Sequence, residues 1–248
     1  MKKQTLSILK IGGKILANKK ELQKILISFA NIKTPKILVH GGGKSANDLC
    51  LKLGIQPKMI AGKRVTDAAT LEVVTMTYAG LLNKKVVSQL QAFGCNALGL
   101  SGADGNVIKA RKRPVKALDY GFAGEVTNIN SNLIINLLNA DITPVFCSIT
   151  HNQAGQLLNT NADTIASEIA NALTANFEVE LTFHFEKKGV LSNPEDDDSA
   201  LNQLSKNDYL LYKKNKIISD GMIPKIDNAF HAKRNGVKQV FIASTEIL

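Results

Sequence analysis

Tryptophan is absent from this 248-residue sequence and aromatic residues make up only 5% of it. Any core must therefore rest on Ile, Leu, Val and Ala rather than on stacked rings. No apolar run approaches the roughly 18 residues that a membrane-spanning helix requires, so no membrane span is expected. The opening MKKQTLSILKIGGKIL begins with two lysines, but Lys10 and Lys14 interrupt its apolar stretch and no small-residue cleavage site follows. A secretory leader is not expected and the chain reads as cytoplasmic. Cysteine is scarce: Cys50, Cys95 and Cys147 are odd in number and far apart, which reads as reduced, buried thiols rather than a disulfide framework. The histidines show no metal-ligand spacing with them, so no protein-held metal is expected.

Acidic residues are the minority charge, 21 against 31 Lys plus Arg, for a net +10. The lysines are dispersed, the densest cluster being Lys109 to Arg113, and no nucleic-acid motif accompanies them. Such dispersal suits a solvated surface and small anionic substrates better than nucleic acid. With 44% hydrophobic and 21% charged residues, the chain reads as an ordinary globular protein. Its length allows one large domain or two lobes.

Along the chain, short β-branched runs alternate with helical patterns. Strands are expected at 6–11, 36–40, 96–100, 143–149, 178–185 and, last, 239–243, with an extended segment at 58–65. Helices are expected at 19–32, 44–53, 68–93, 131–139, 161–174 and 221–235. The helix over 68–93 is long and amphipathic, with Leu71, Val74, Tyr78, Leu81 and Leu82 near helical spacing. Residues 101–105 read as a turn, 106–128 as hairpins, and Glu195 to Asp198 as a solvated loop tip. Strand–helix alternation argues for an α/β fold, a mainly parallel sheet covered on both faces.

In such a sheet, ligands gather at the carboxyl ends of the strands. Two of those ends carry glycine turns, Lys10 to Lys14 and His40 to Ser45. Each could be a tight connection; beside their lysines they also suit an anion. Walker A spacing would need glycine at position 38, which is Leu38. The dinucleotide pattern fits Gly41 to Ala46 but lacks its acidic ribose partner, so a nicotinamide-dependent oxidoreductase stays open as a competing reading. Asp220 is expected to cap a helix whose first turn carries Lys225, where a cation is mildly unfavourable unless an anion lies nearby. Asn161 as N-cap and Asp163 in the next helix's first turn are explained by capping alone; Asn159 is not. Arg64, on the extended segment, suits either a surface ion pair or a bidentate carboxylate clamp.

Taken in order, LKIGGK (9–14), VHGGGK (39–44), GKRVTD (62–67), LNTNAD (158–163) and SDGMIPK (219–225) resemble the motifs of the amino acid kinase family, and GKRVTD before a long helix is similar to its acylglutamate-specific branch. The resemblance implies a three-layer αβα sandwich of the carbamate kinase-like type. It implies an N-terminal lobe (1–158) for acyl-amino-acid binding and dimerisation, and a C-terminal lobe (159–248) for nucleotide. It implies phosphorylation of the side-chain carboxylate of an N-acylated glutamate by ATP, with Mg²⁺ carried on the nucleotide, in arginine synthesis; acetyl is the default acyl group and succinyl the alternative. A sensor that keeps the fold without catalysis is a third reading, disfavoured by the intact Lys10, Asp163 and Lys225.

Residue by residue, the resemblance implies that Lys10 and Lys225 flank the transferring phosphoryl group and that Asp163 lies between them. Gly12, Gly13, Gly41, Gly42 and Gly43 would offer backbone N–H groups to phosphate oxygens. Gly42, Gly43, Arg64, Asn159 and Asn161 would bind the amino-acid substrate. Relatives inhibited by arginine carry an extra N-terminal helix, so a homodimer paired through 68–93 and insensitive to arginine is expected. Two departures bear on the nucleotide side: Glu186 stands where the family has aspartate, and the stretch 241–248 reads as shortened.

Overall fold

The structure, a computed structural model, describes residues 3–60, 62–115, 117–218 and 221–248. It begins with β1 (Thr5–Ile11), α1 (Gly13–Ala17), α2 (Lys19–Ala30), β2 (Lys36–His40) and α3 (Gly43–Lys52). A hairpin of β3 (Lys58–Ile60) and β4 (Lys63–Val65) leads into α4 (Ala68–Thr75), a π-helical segment (Met76–Leu82) and α5 (Asn83–Ala92). There follow β5 (Ala97–Leu100), β6 (Ile108–Lys112), β7 (Gly124–Ile129), α6 (Ser131–Asn139), β8 (Thr143–Phe146), β9 (Ile149–His151) and β10 (Leu157–Asn159). The chain closes with α7 (Ala162–Leu173), β11 (Glu178–His184), β12 (Gln203–Leu204), α8 (Lys206–Lys214), α9 (Ile223–Arg234), β13 (Gln239–Ile242) and β14 (Thr245–Ile247).

The main sheet has eight strands in the order β12-β14-β13-β11-β1-β2-β8-β5. Its pairs are parallel except β13–β14. A smaller sheet, β10-β9-β6-β7, and the β3–β4 hairpin stand beside it, joined by bridges from Thr66 to Gly121 and from Ala123 to Asn159. Alternation along each strand builds the layers. On β1, Leu6 and Ile8 face one apolar cluster while Ile11 faces the other; on β2, Ile37 and Val39 oppose Leu38. The first cluster takes α6, α7, α8 and α9 through Ile134, Ile169, Tyr209 and Phe230. The second takes α1 to α5 through Ile15, Phe29, Ala46, Val74 and Leu90. The architecture is the expected three-layer α/β sandwich around a mainly parallel sheet. Among the described residues no helix is long and apolar enough to cross a membrane. All three cysteines are buried and free.

Several boundaries differ from the sequence reading, each for a local reason. The helix expected over 68–93 is continuous but contains the π segment, which widens one turn to i→i+5 spacing. Tyr78, Leu82 and Val86 stay buried while Leu81 is turned half into solvent. The strand expected at 143–149 breaks after Phe146, because Ile149 to His151 pair with β10 and β6 in the small sheet. The 58–65 segment is a hairpin rather than one extended run. The strand at 239–242 is not last: Ala243 adopts φ +50° and turns the chain back into β14. The 221–235 helix begins at Ile223 with Met222 at the N-cap, and the cap assigned to Asp220 lies outside the described residues.

The two glycine turns pack backbone to backbone. A Cβ on Gly13 would come within 3.0 Å of the Gly43 nitrogen, and one on Gly42 within 2.5 Å of Leu82 and 2.7 Å of Tyr78. Gly41 has room, its nearest neighbour being Ala162 at 3.8 Å. Gly42→Ala is therefore expected to destabilise the fold by about 1–3 kcal/mol through overpacking, while Gly41→Ala stays within about 0.5 kcal/mol. Thermal midpoints of the two variants decide this, and equal values would contradict it.

Candidate active site

On β1, Lys10 shares its face with Leu6 and Ile8, the face covered by α7 and α9. Parallel neighbours leave β1 on opposite sides, β2 on one and β11 on the other, so the carboxyl end of β1 is a topological switch point. There α7 begins. Asn161 caps it, its Oδ1 accepting from the backbone N–H of Asp163 at 2.8 Å and of Thr164 at 3.1 Å. The cap sets Asp163 in the first turn, over Lys10. Pro224 helps to start α9, which places Lys225 in its own first turn.

These three side chains meet. The Lys10 ammonium lies 2.7 Å from Asp163 Oδ1. Lys225 Nζ donates to Asp163 Oδ1 at 3.1 Å and Oδ2 at 3.3 Å. All three residues are more than nine-tenths buried. Phe183 and Phe185 turn their ring faces to the Lys225 ammonium at 5.8 and 5.5 Å. Burial opposes the Asp163 charge, but Lys10 and Lys225 outweigh it and hold its carboxyl at about 2. Burial pushes Lys225 down to about 8, repulsion from Lys10 adds to that, and Asp163 offsets part of it. The cluster carries two positive charges and one negative, so a surplus positive charge faces any occupant.

The glycine corners flank this cluster. The Gly12 N–H donates to His184 O at 3.2 Å and the Gly41 N–H to Ile11 O at 3.3 Å. Those two amides are committed to the backbone, which narrows the expected donor set. Gly13, Gly42 and Gly43, at the starts of their helices, keep N–H groups without backbone partners among the described residues. Arg64, on β4, is buried; its Nη2 donates to Gly43 O at 3.0 Å. Its Nη1 is buried with no hydrogen-bond partner among the described residues. Burial raises the Tyr78 phenol and the Arg64 guanidinium pulls it back. Asn159 donates to Thr66 Oγ1 at 3.0 Å.

A cleft of about 230 Å³ joins Lys10, Asp163, Gly13, Gly41, Gly42, Gly43, Arg64, Asn159 and Asn161. Of the residues singled out from sequence, Gly12 and Lys225 do not line it, Lys225 acting from behind Asp163. Lys63, Tyr78, Arg113 and Tyr120 line it as well. Lys63 sits inside the GKRVTD motif and Arg113 ends the basic cluster at 109–113, so both carried a signal that charge dispersal obscured. Arg113 stacks on Tyr120 at 5.3 Å and approaches Glu125 at 3.7 Å. Beyond β11, Glu186 pairs with Lys14 at 2.5 Å; burial raises its carboxyl and this bond outweighs the burial. A second, apolar pocket of about 220 Å³ lies there, walled by Phe185, Val190, Leu191, Ile217, Ile218 and Met222.

Buried ammonium groups bridged by one carboxylate, beside free backbone amides, form a site for a transferable phosphoryl group. The description of the amino acid kinase family matches residues 5–244, and the chain belongs to that family. Within it, the chain is 50% identical over 239 residues to acetylglutamate kinase of Parabacteroides distasonis, covering 96% of this chain and 94% of that one. It is 48% identical over 246 residues to acetylglutamate kinase of Cytophaga hutchinsonii, covering 99% and 93%. A solved structure, smu.665 from Streptococcus mutans UA159, superposes with a TM-score of 0.85 at 28% identity, covering 98% of each chain.

Asp163→Asn removes the one anion between two buried ammonium groups. It is expected to cost about 3–5 kcal/mol of stability, because each cation is left unpaired. Adding Lys10→Met should return part of that loss. Urea midpoints of the single and double variants measure both effects; a neutral Asp163→Asn would refute the bridging role.

Proposed function

We propose that this chain transfers the γ-phosphoryl group of ATP to the γ-carboxylate of N-acetyl-L-glutamate. The observation that carries the proposal is the Lys10–Asp163–Lys225 cluster beside the free amides of Gly13, Gly42 and Gly43. A carboxylate is already anionic at neutral pH, so no general base is required. The barrier lies in bringing an anion to a charged phosphate in line, and fixed positive charge lowers it. Lys10 and Lys225 supply that charge; Asp163 keeps both aimed at one point. The unpaired Nη1 of Arg64 suits the α-carboxylate, with Asn159 and Asn161 alongside. Mg²⁺ enters with the nucleotide as part of the substrate, since both Asp163 oxygens are taken by lysine.

The apolar pocket beyond β11 fits the nucleotide base, which puts nucleotide on the C-terminal half (159–248) and the acylated amino acid on the N-terminal half (1–158). Met76 and Leu81, each about half exposed on the long helix, suit a homodimer formed through that face. Cationic Lys63 and Arg113 disfavour a substrate with a free α-ammonium, so acylation of that nitrogen helps binding as well as preventing cyclisation. The same two side chains favour a second reading: an acyl group ending in a further carboxylate, as in N-succinyl-L-glutamate.

An ATP-dependent hydroxamate assay across N-acetylglutamate, N-succinylglutamate and glutamate tests both readings. Turnover of N-acetylglutamate is expected and free glutamate should react poorly; a higher kcat/KM for the succinyl compound would replace the first reading by the second. Lys10→Ala and Lys225→Ala should each lower kcat by about 10²–10³-fold, while Arg64→Ala mainly raises the KM for the amino acid. Protonated Lys225 is the active form, so kcat/KM should fall as pH rises through about 8. In Asp163→Asn the fall should come at lower pH, because the anion that raises the Lys225 value is gone. A flat pH profile up to pH 9 would count against Lys225.

A further inference from the structure

We propose that His40 and Asn83 are positioning residues for this reaction, locking the peptide between Gly41 and Gly42 so that the Gly42 N–H faces the cleft. The kinetic consequence rests on the phosphotransferase reading of the cleft; the lock itself rests on geometry.

His40 ends β2 and is fully buried. Its Nδ1 lies 2.9 Å from Gly41 O, and a carbonyl can only accept, so Nδ1 carries the proton. Its Nε2 lies 3.1 Å from Asn83 Nδ2. The same Nδ2 donates to Val145 O at 2.9 Å, which identifies that end of the amide as the donor. The other end, Oδ1, accepts from Lys84 at 3.3 Å. Donors and acceptors match throughout only if the imidazole is neutral and protonated on Nδ1. Burial, which pushes His40 down to about 4, keeps it neutral.

In a trans peptide the C=O and N–H point in opposite directions. The described backbone has no cis peptide bond. Holding Gly41 O toward His40 therefore aims the Gly42 N–H away from the imidazole, and Gly42 lines the cleft. A peptide between two glycines has the widest conformational freedom in the chain, so a donor there needs an external hold to be pre-aimed. The π segment brings the parts of that hold together. Tyr78 and Leu82 fill the space beside Gly42, and Asn83 follows at once. Asn83 in turn occupies space that only a glycine at 99 leaves open, since a Cβ there would lie 1.9 Å from its Oδ1. Helices widened in this way recur at functional sites.

Nitrogen-15 spectra of the histidine rings, with the His40 signal assigned by its loss in H40N, read the tautomer in the whole protein without any substrate. A neutral Nδ1–H form at pH 7 is expected; an Nε2–H or doubly protonated ring would overturn the lock. In turnover, H40A and H40Q should lose about 100-fold in kcat at saturating substrate, with KM values within about threefold. H40N, whose amide nitrogen reaches the Nδ1 position, should regain at least about tenfold of that loss. N83D demands a proton on Nε2, so it should lower kcat as H40A does and move the His40 signal to an Nε2-protonated form. Equal kcat in H40N and H40Q, or losses that merely follow the thermal midpoint, would reduce both residues to packing and sink the proposal. Should no acylglutamate prove to be the substrate, the tautomer still decides the lock on its own.

Discussion

The Asp163 carboxylate between two ammonium groups is the interaction on which the rest of the site depends. Two buried cations repel each other and each loses its hydration; one anion shared between them makes the arrangement tolerable. The compensation is incomplete, and that incompleteness is useful. A surplus positive charge remains where water is scarce, so its attraction for an incoming phosphate is stronger than on an open surface. The fold supplies each partner by a different device. Strand alternation turns Lys10 inward, an asparagine cap fixes Asp163, and a proline-started helix carries Lys225. None of the three is held by a flexible loop.

The glycines divide into two kinds of work. Gly13 and Gly42 let two turns and a helix approach more closely than any side chain would allow. Gly12 and Gly41 are extensions of the strand ladder, their amides spent on His184 and Ile11. Only part of a glycine-rich corner therefore faces an anion, and the remainder holds that part in place. Arg64 joins the two functions: it grips Gly43 O with one nitrogen and leaves the other buried and unspent.

Much of this was legible in the primary structure because it is periodic or local. Alternation placed Lys10 on a buried face, a cap signature placed Asp163 in a first turn, and five ordered motifs pointed to the family. What was not legible depends on partners distant in the chain. The π segment has no composition of its own, and Leu81 looked as apolar as Leu82. Strand pairing split 143–149 between two sheets, which no one-dimensional pattern records. Helix α8 carries exposed Leu210 and Leu211 and a lysine-rich end, so its amphipathic stripe is faint. His40 looked like the last residue of a strand, and only its neighbours across the sheet reveal which of its nitrogens is protonated.

The widened turn between Met76 and Leu82 also bears on how this sequence can change over evolutionary time. Point replacements along the helix alter one contact each. Deleting a single residue from that turn would restore ordinary winding and rotate everything after it by about 100°. Asn83 would swing away from His40 while the helix itself remained well formed. The length of this segment, rather than its hydrophobicity, is thus the heritable quantity under constraint, and insertions or deletions there should be rarer than substitutions among functional descendants of the chain.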